Sequence, residues 1–255
     1  MKNGLNYIYI DQNGAQGMGR RIDVPNQRGL PPVRALIEAF GEHTPSGKLA
    51  VIIKDDLMHP LRVDLDEKPP AKELNQFLLW KLKRYLPWPI DQVEMRALPL
   101  KEDLAWLTFS LPKPWIAELY ESLETRGAQC GYIGGLFATL LENNPLFRAH
   151  HTIAFFDDFY TIAHLDKNGD YHNLRSRRLP FDTNDQLDIQ TLVQSDLDPL
   201  MQGDNQWALF SLAPQLDASL RAIKDALSVQ TRYIEVVGQD PLERFQSCLH
   251  LKGES

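Results

Sequence analysis

Residues 71–98 contain the feature that most constrains the fold of this chain. Two prolines, Pro87 and Pro89, end a helix here, because proline lacks the donor N–H and favours an extended residue before it. The alternation that follows, from Val93 to Ala97, predicts a strand. A helix packed on a sheet is therefore expected, its buried face formed by apolar residues at three- and four-residue steps. These apolar residues are Ala71, Leu74, Phe77, Leu78, Leu82 and Tyr85.

Trp80 does not fit the buried face of this helix. At about 100° per residue it falls on the other side, among Lys72, Lys83 and Arg84. An exposed tryptophan bordered by basic residues suits contact with a peptide or a neighbouring domain, since aromatic side chains contribute much of the binding energy of interfaces. A tryptophan that covers a second face of its own domain would show the same pattern, so the sequence leaves both interpretations open.

Composition excludes several classes of protein. The chain has 255 residues, 43% of them hydrophobic and 24% charged, which is ordinary for a globular protein of one large domain or two lobes. A net charge of −7 argues against a nucleic-acid binder, which would be basic. Cys130 and Cys248 show no metal-site spacing, which suits a reducing compartment. Without an apolar run for a membrane span or a signal peptide, we expect a cytoplasmic protein that reaches a membrane only through partners.

The chain alternates strands and helices. Near the N-terminus, Asn13-Gly14 predicts a hairpin between strands at 5–10 and 21–24. The glycines Gly14, Gly17 and Gly19 do not have the order of a phosphate-binding GxGxxG motif, so a flexible hairpin is favoured over a phosphate site. Residues 49–111 then predict strand, strand, helix, strand and strand. From residue 152 onward, three antiparallel strands precede alternating helices and strands.

The end of the organising helix resembles a motif of the PilM family, with tryptophan, a basic residue and a tyrosine before two prolines that flank an aromatic residue. The matching residues are Trp80, Arg84, Tyr85, Leu86, Pro87, Trp88 and Pro89. PilM proteins are actin-like components of type IV pilus machines, with relatives in MSHA-type pili and in the secretion-platform protein GspL. The resemblance implies an α/β, actin-like (ribonuclease H-like) fold of two lobes. The first lobe would be residues 1–47 and 112–150, the small α/β insert 48–111 and the reduced second lobe 151–255.

An actin-like fold implies a nucleotide held between the lobes by three loops, and all three depart from the pattern here. In the first, Asp11 is followed by Gly14 one step late, without a serine or threonine. In the second, Asp157 is followed by Phe159 where a glycine is expected. In the third, Pro214 replaces a glycine and removes a backbone donor. We therefore expect degenerate nucleotide loops, no cofactor and no catalysis.

Two alternatives with chemistry remain open. The first is an actin-like ATPase that still binds Mg-ATP between its lobes, through Asp11 and Asp157. The second is a small-molecule kinase of the same superfold, which is less favoured because no catalytic carboxylate stands in recognisable surroundings. Ser110 and Ser122 show no spacing of a nucleophile elbow or a catalytic triad.

The resemblance also implies a partner. In PilM, the cleft between the insert and the first lobe takes the N-terminal cytoplasmic peptide of the membrane protein PilN. Carried over, this implies a PilN-like bitopic membrane partner whose tail passes Trp80, Tyr85, Trp88 and Leu30. The expected role is that of a scaffold in a type IV pilus-like or type II secretion-like inner-membrane platform. The chain would link its partner to the assembly ATPase and would catalyse no reaction itself.

Three polar clusters have competing explanations. His150 and His151 are adjacent on a predicted strand and point to opposite faces, so a surface strand end is favoured over a metal site. Asp55-Asp56 suits a turn better than a Mg²⁺ site. The basic cluster of Arg175, Arg177 and Arg178 is either structural or a contact for an acidic partner, with neither favoured.

Overall fold

The chain forms two compact units, residues 1–139 and residues 140–255. The division comes before the predicted lobe boundary at residue 150. The structure is a computed structural model that describes residues 6–17, 19–24, 29–43, 47–100, 104–144, 151–156, 158–165, 171–179, 186–200, 206–227 and 229–249. Among these residues no helix is both long enough and apolar enough to cross a membrane.

The first unit contains eight strands and three complete helices in its described residues, and a fourth helix spans the boundary between the units. In chain order they are β1 (Asn6–Asp11), β2 (Gly14–Gly17), β3 (Arg20–Asp23), α1 (Val33–Phe40), β4 (Gly47–Ile53), β5 (Leu61–Asp64), α2 (Leu74–Leu82), β6 (Val93–Pro99), β7 (Ala105–Pro112), α3 (Lys113–Glu124), β8 (Ala128–Gly135) and α4 (Leu136–Asn143).

A five-stranded sheet in the order β3-β2-β1-β4-β8 forms the centre of the first unit. β1, β2 and β3 form an antiparallel meander, whereas β4 and β8 run parallel to β1. β4 lies between two strands, and its residues 49–53 are completely buried. Continuous burial of this kind is typical of a central parallel strand covered on both faces.

The insert is a three-stranded antiparallel sheet in the order β5-β7-β6, covered on one face by α2. Helix and sheet share one apolar cluster, in which Leu78 and Leu82 of α2 pack with Val63, Val93 and Trp106 of the strands. The expected helix packed on a sheet is confirmed.

Two expectations for this region are wrong. The insert does not begin at residue 48, because β4 pairs with β1 and β8 in the five-stranded sheet. Its unbroken run of apolar residues, not an alternating one, is the signal of a central strand. Tyr85 was expected on the buried face of the helix, but it is 71% exposed because α2 ends at Leu82.

The second unit repeats this strand arrangement. Its elements are β9 (His151–Phe155), β10 (Phe159–Leu165), β11 (Tyr171–Arg178), α5 (Gln186–Leu197), β12 (Trp207–Ser211), α6 (Asp217–Ile223), β13 (Thr231–Tyr233) and α7 (Pro241–Leu249). The sheet order is β11-β10-β9-β12-β13. The first three strands are antiparallel, and β12 and β13 run parallel to β9. Both units therefore place three antiparallel strands beside two parallel ones.

Candidate functional site

The first predicted nucleotide loop is occupied by an internal ion pair. Asp11 ends β1, and Arg21 of β3 reaches it with two hydrogen bonds, Nη1 to Oδ2 at 2.6 Å and Nη2 to Oδ1 at 3.0 Å. The backbone N–H of Asn13 also donates to Asp11 Oδ1 at 2.8 Å. A bidentate arginine neutralises a carboxylate and forms a hydrogen bond with each of its oxygens. Asp11 is therefore committed to the hairpin itself.

Gly14 has a structural role in the same hairpin that does not involve phosphate binding. Its φ is 149°, and a Cβ atom at this position would lie 1.9 Å from the carbonyl oxygen of Ile22. Only glycine permits this close approach of β2 to β3. The late glycine of the predicted loop is explained by strand packing.

A buried lysine lies at the same edge of the sheet, where β4 ends beside β1. The backbone N–H of Lys54 donates to the carbonyl oxygen of Ile10 at 2.9 Å. Its Nζ donates to Gln12 Oε1 at 3.0 Å and lies 3.7 Å from Asp56 Oδ2, with the residue only 2% exposed. A buried ammonium group needs such partners. The chain thus supplies its own cation beside the first loop.

Asp55 follows Lys54 and caps helix α4. Its Oδ2 accepts a hydrogen bond from the N–H of Phe137 at 2.8 Å, and its Oδ1 accepts one from Ala138 at 3.4 Å. A carboxylate at a helix N-terminus satisfies backbone donors that lack partners within the helix. No group of three or more metal-ligating side chains occurs in the described part of the chain. Asp55 therefore has a structural explanation, as the turn interpretation predicted.

Stability should depend on pH through Asp55. Burial raises the pKa of this carboxyl to about 7, although the two backbone donors oppose the rise. The pKa of an aspartate in the unfolded chain is about 3.9. Between about pH 4 and about pH 7 the folded state therefore binds a proton that the unfolded state has lost, so the free energy of unfolding falls as the pH rises through this range. Between about pH 5 and about pH 8, we expect the free energy of unfolding of the wild type to fall by about 2–4 kcal/mol more than that of Asp55→Asn. Urea unfolding at both pH values measures this difference.

The readout is the change with pH, because Asp55→Asn also alters the cap of α4. Asp66→Asn, at an exposed loop position of the same unit, is the matched control and should follow the wild-type pH dependence. Equal pH dependence in wild type and Asp55→Asn would show that Asp55 titrates normally.

The second predicted loop is the turn between β9 and β10. Asp157 lies outside the described residues. The N–H of Phe156 donates to the carbonyl oxygen of Phe159 at 2.8 Å, which closes the turn. The rings of these two residues are stacked with centroids 4.2 Å apart, and each residue is 2% exposed. Phe159 is therefore a packed side chain of its own unit.

The third predicted loop follows β12 and uses its own polar groups internally. Ser211 Oγ accepts the N–H of Ala213 at 2.9 Å and donates to the carbonyl oxygen of the same residue at 2.8 Å. Pro214 comes next and has no N–H. The N–H of Leu212 donates to the carbonyl oxygen of Phe155, which brings the second and third loops to one edge of the sheet.

A buried arginine occupies the helix start after this loop. Arg244 of α7 donates to both carboxylate oxygens of Asp217, at 2.8 and 2.7 Å, and also to the carbonyl oxygens of Ser211 and Gly238. Tyr233 donates its hydroxyl to Asp217 at 2.8 Å, and burial together with this bond raises its pKa to about 12. Both charges of the Arg244–Asp217 pair are therefore compensated within the second unit.

The first unit contains a groove of about 700 Å³ between the insert and the five-stranded sheet. Its walls are the face of β6 and β7 that α2 leaves uncovered, helix α3 and strand β8. Most of the lining side chains are apolar, with one acidic and two basic groups among them. The lining residues are Met58, Glu94, Met95, Arg96, Phe109, Leu111, Lys113, Ile116, Ala117, Tyr120, Gly131, Tyr132 and Ile133.

Two of these walls are edge strands. β6 is the last strand of the insert sheet, and β8 is the last strand of the five-stranded sheet, so no other described strand pairs with their outer edges. The register of β8 against β4 shifts at Gly131, where an extra residue forms a bulge. Edge strands present unpaired backbone donors and acceptors to a further extended segment.

Polar side chains bridge the groove. The Arg96 guanidinium lies over the Tyr132 ring, 5.6 Å from its centroid, and donates to the Tyr132 hydroxyl at 3.5 Å. The same hydroxyl is 2.8 Å from Thr139 Oγ1. Lys113 donates to the backbone carbonyl oxygen of Asp91 at 3.0 Å. The charged groups are thus positioned by the two walls before any ligand enters.

None of the predicted partner-binding residues lines this groove. Trp80 is 58% exposed, as expected for a residue outside the core, and Lys83 Nζ lies 5.7 Å from its ring centroid. Tyr85 is also exposed. Trp88 is half-buried, with its ring edge-on to His59 at 4.7 Å, and Leu30 is half-buried beside Pro31. Trp88 therefore has a packing role.

Comparison with solved structures identifies the architecture. Three similar structures are the PilM-PilN type IV pilus biogenesis complex, a Bacteroides thetaiotaomicron protein with an actin-like ATPase fold and unknown function, and the cytoplasmic domain of EpsL, an inner membrane component of the type II secretion system of Vibrio cholerae. Their TM-scores are 0.61, 0.59 and 0.53, with identities of 13%, 11% and 13%. The chain has an actin-like fold.

The similarity extends over nearly the whole chain. It covers 93%, 97% and 97% of this protein and 85%, 96% and 96% of the three structures, in the same order. No known family and no curated protein matches the sequence. The α/β actin-like fold class predicted from the sequence is confirmed, and the resemblance to PilM is matched at the level of the fold.

Three cations beside the predicted loops could not be recognised from the sequence. The side chains of Arg21, Lys54 and Arg244 each bind polar groups in or beside a predicted loop, but none of the three residues belongs to a recognisable motif. For Lys54, the end of a fully apolar strand was an available signal. Arg244 is 27 residues from Asp217 in the chain, and no local pattern connects them. The favoured interpretation of the histidine pair as a surface strand end was wrong for His151, which is buried and whose Nδ1 accepts the N–H of Leu165 at 2.9 Å. His150 lies outside the described residues.

Proposed function

We propose that this chain is a binding protein of a type IV pilus-like or type II secretion-like inner-membrane platform. It takes an extended cytoplasmic segment of a bitopic, PilN-like membrane protein into the groove of the first unit. One observation carries the proposal: the groove is lined by residues of two edge strands, β6 and β8, with apolar side chains between them. A volume of about 700 Å³ would also suit a small ligand, but the presence of two edge strands favours a peptide backbone.

The similar structures support this choice of partner. One of them is a complex of PilM with PilN, and another belongs to an inner membrane component of a secretion system. By this proposal the chain is cytoplasmic and is held at the membrane through its partner, which it connects to the assembly ATPase. Recognition needs no reaction at the site.

The direct test is a calorimetric titration with a synthetic peptide. The peptide covers the N-terminal cytoplasmic segment of a PilN-like bitopic membrane protein from the same organism. We expect saturable binding with a dissociation constant of about 1–10 µM, typical of a short segment that becomes ordered on binding. A peptide of the same composition in scrambled order is the control. Absence of binding by the native peptide would overturn the proposal.

We further propose that the chain does not bind Mg-ATP. Asp11 is paired with Arg21, Asp217 is paired with Arg244, and Pro214 lacks a donor, so each described loop region uses its polar groups within its own unit. Titration with ATP and Mg²⁺ should therefore give no saturable heat up to about 1 mM nucleotide. Micromolar binding would instead favour the alternative of an actin-like ATPase.

A further inference from the structure

The sheet of the second unit has an open edge that the groove does not involve. β11 is its outermost strand, and no other described strand pairs with the outer side of β11. Four successive residues of this strand, 175–178, are exposed. At about 3.3 Å per residue they form about 13 Å of open strand edge. Three of the four are arginines.

Two of these arginines are held in place by one buried carboxylate. Side chains alternate along a strand, so Arg175 and Arg177 share a face. Both form ion pairs with Asp196 Oδ1: the Nη1 atom of Arg175 lies 3.0 Å from it, and that of Arg177 donates to it at 3.4 Å. Asp196 is 2% exposed, and its Oδ2 accepts the Tyr160 hydroxyl at 2.5 Å. The two guanidinium groups are therefore fixed at the rim of the sheet.

This cluster keeps an excess of positive charge. One carboxylate balances one guanidinium, so Arg175 and Arg177 together with Asp196 carry a net charge of +1. The side chains of the two arginines remain 53% and 42% exposed. Arg178 follows on the other face of the strand and is also exposed. The chain as a whole has a net charge of −7, whereas these residues of the β11 edge carry a positive charge.

Charges on edge strands commonly protect a sheet from pairing with other copies. Mobile side chains are sufficient for that role. Here the buried Asp196, which is itself bound by Tyr160, restricts the rotamers of Arg175 and Arg177. The two arginines share this one counter-ion. The fixed fork of a guanidinium group matches a carboxylate with two parallel hydrogen bonds. The arrangement is that of a preorganised anion-binding edge.

We propose that the β11 edge binds an acidic protein segment in extended conformation. The segment is added to the sheet as a further strand. Outward-facing N–H and C=O groups on alternate residues of β11 bind its backbone. Alternate acidic side chains of the added strand lie on the face of Arg175 and Arg177 and pair with their guanidinium groups. This inference concerns the second unit and does not depend on the groove.

The test uses fluorescence anisotropy with a fluorescein-labelled hexapeptide of alternating glutamate and valine. Wild type should bind this peptide at low ionic strength, and Arg175→Gln should bind it about tenfold more weakly. Arg177 stays in place, so Asp196 keeps a counter-ion and the unit keeps its fold. Arg20→Gln is the charge-matched control, because Arg20 is exposed on β3, the edge strand of the other sheet.

A second peptide separates strand addition from simple charge attraction. It has the same sequence with methyl groups on alternate backbone amides, and it should bind wild type about tenfold more weakly because the backbone bonds are lost. The proposal is overturned if both peptides bind equally, if Arg20→Gln weakens binding as much as Arg175→Gln, or if wild type does not bind the first peptide.

Discussion

Ala117→Trp is expected to weaken binding of the partner peptide about 100-fold. Ala117 lies on α3 with its side chain at the wall of the groove, and it is exposed. An indole at this position would fill the space that the peptide needs, while the helix loses no core contact. Calorimetric titration with the same peptide measures the loss.

The matched control is Ala39→Trp, the same change at an exposed position of α1 that does not line the groove. It should leave the affinity within about twofold of wild type. Trp80→Ala tests the surface predicted from the sequence. A large loss in Trp80→Ala with none in Ala117→Trp would move the partner site from the groove to the outer face of α2.

Arg244→Met is expected to destabilise the second unit by about 3–5 kcal/mol. The arginine is 6% exposed and donates to Asp217 twice and to two carbonyl oxygens. Methionine fills much of the same space but leaves a partly buried carboxylate without its counter-ion. Native-state hydrogen exchange of the β12 amides reports the free energy of opening of this unit and is the appropriate measurement.

Two further variants show whether the ion pair causes this effect. Arg221→Met removes an arginine whose pair with Glu235 is exposed on both sides, and it should reduce the stability far less than Arg244→Met does. Adding Asp217→Asn to Arg244→Met should recover part of the loss, because no uncompensated charge then remains. If Arg244→Met costs no more than Arg221→Met, the buried pair is not important for stability.

Much of the fold was predictable because local patterns carry it. The helix, the strand after it and the position of Trp80 outside the buried face of the helix follow from spacing alone, although the helix ends at Leu82, before the two prolines. The motif around Tyr85 led to the correct fold class. The position of β4 was predicted wrongly because assignment to a sheet depends on pairing, which adjacent residues do not record. The unbroken burial of residues 49–53 shows that the apolar run was the better guide.

The polar sites were less predictable. The family pattern indicated which glycine and hydroxyl residues the loops lack, but not which ion pairs and hydrogen bonds they form instead. Arg21 reaches Asp11 only because the meander folds β3 back beside β2 and β1. The groove combines residues of β6, α3 and β8, which share no local sequence pattern, so none of its lining residues was predicted as a site.

By itself, the sequence determined the alternation of elements, the departures of three loops from the nucleotide-binding pattern and the position of Trp80 outside the apolar face of its helix, because each depends on residue type and on spacing of a few residues. The tertiary structure decided which strands share a sheet, which arginine neutralises which aspartate and where residues of two edge strands line one groove. These depend on contacts between residues that are far apart in the chain, and only the folded backbone brings them within hydrogen-bonding distance.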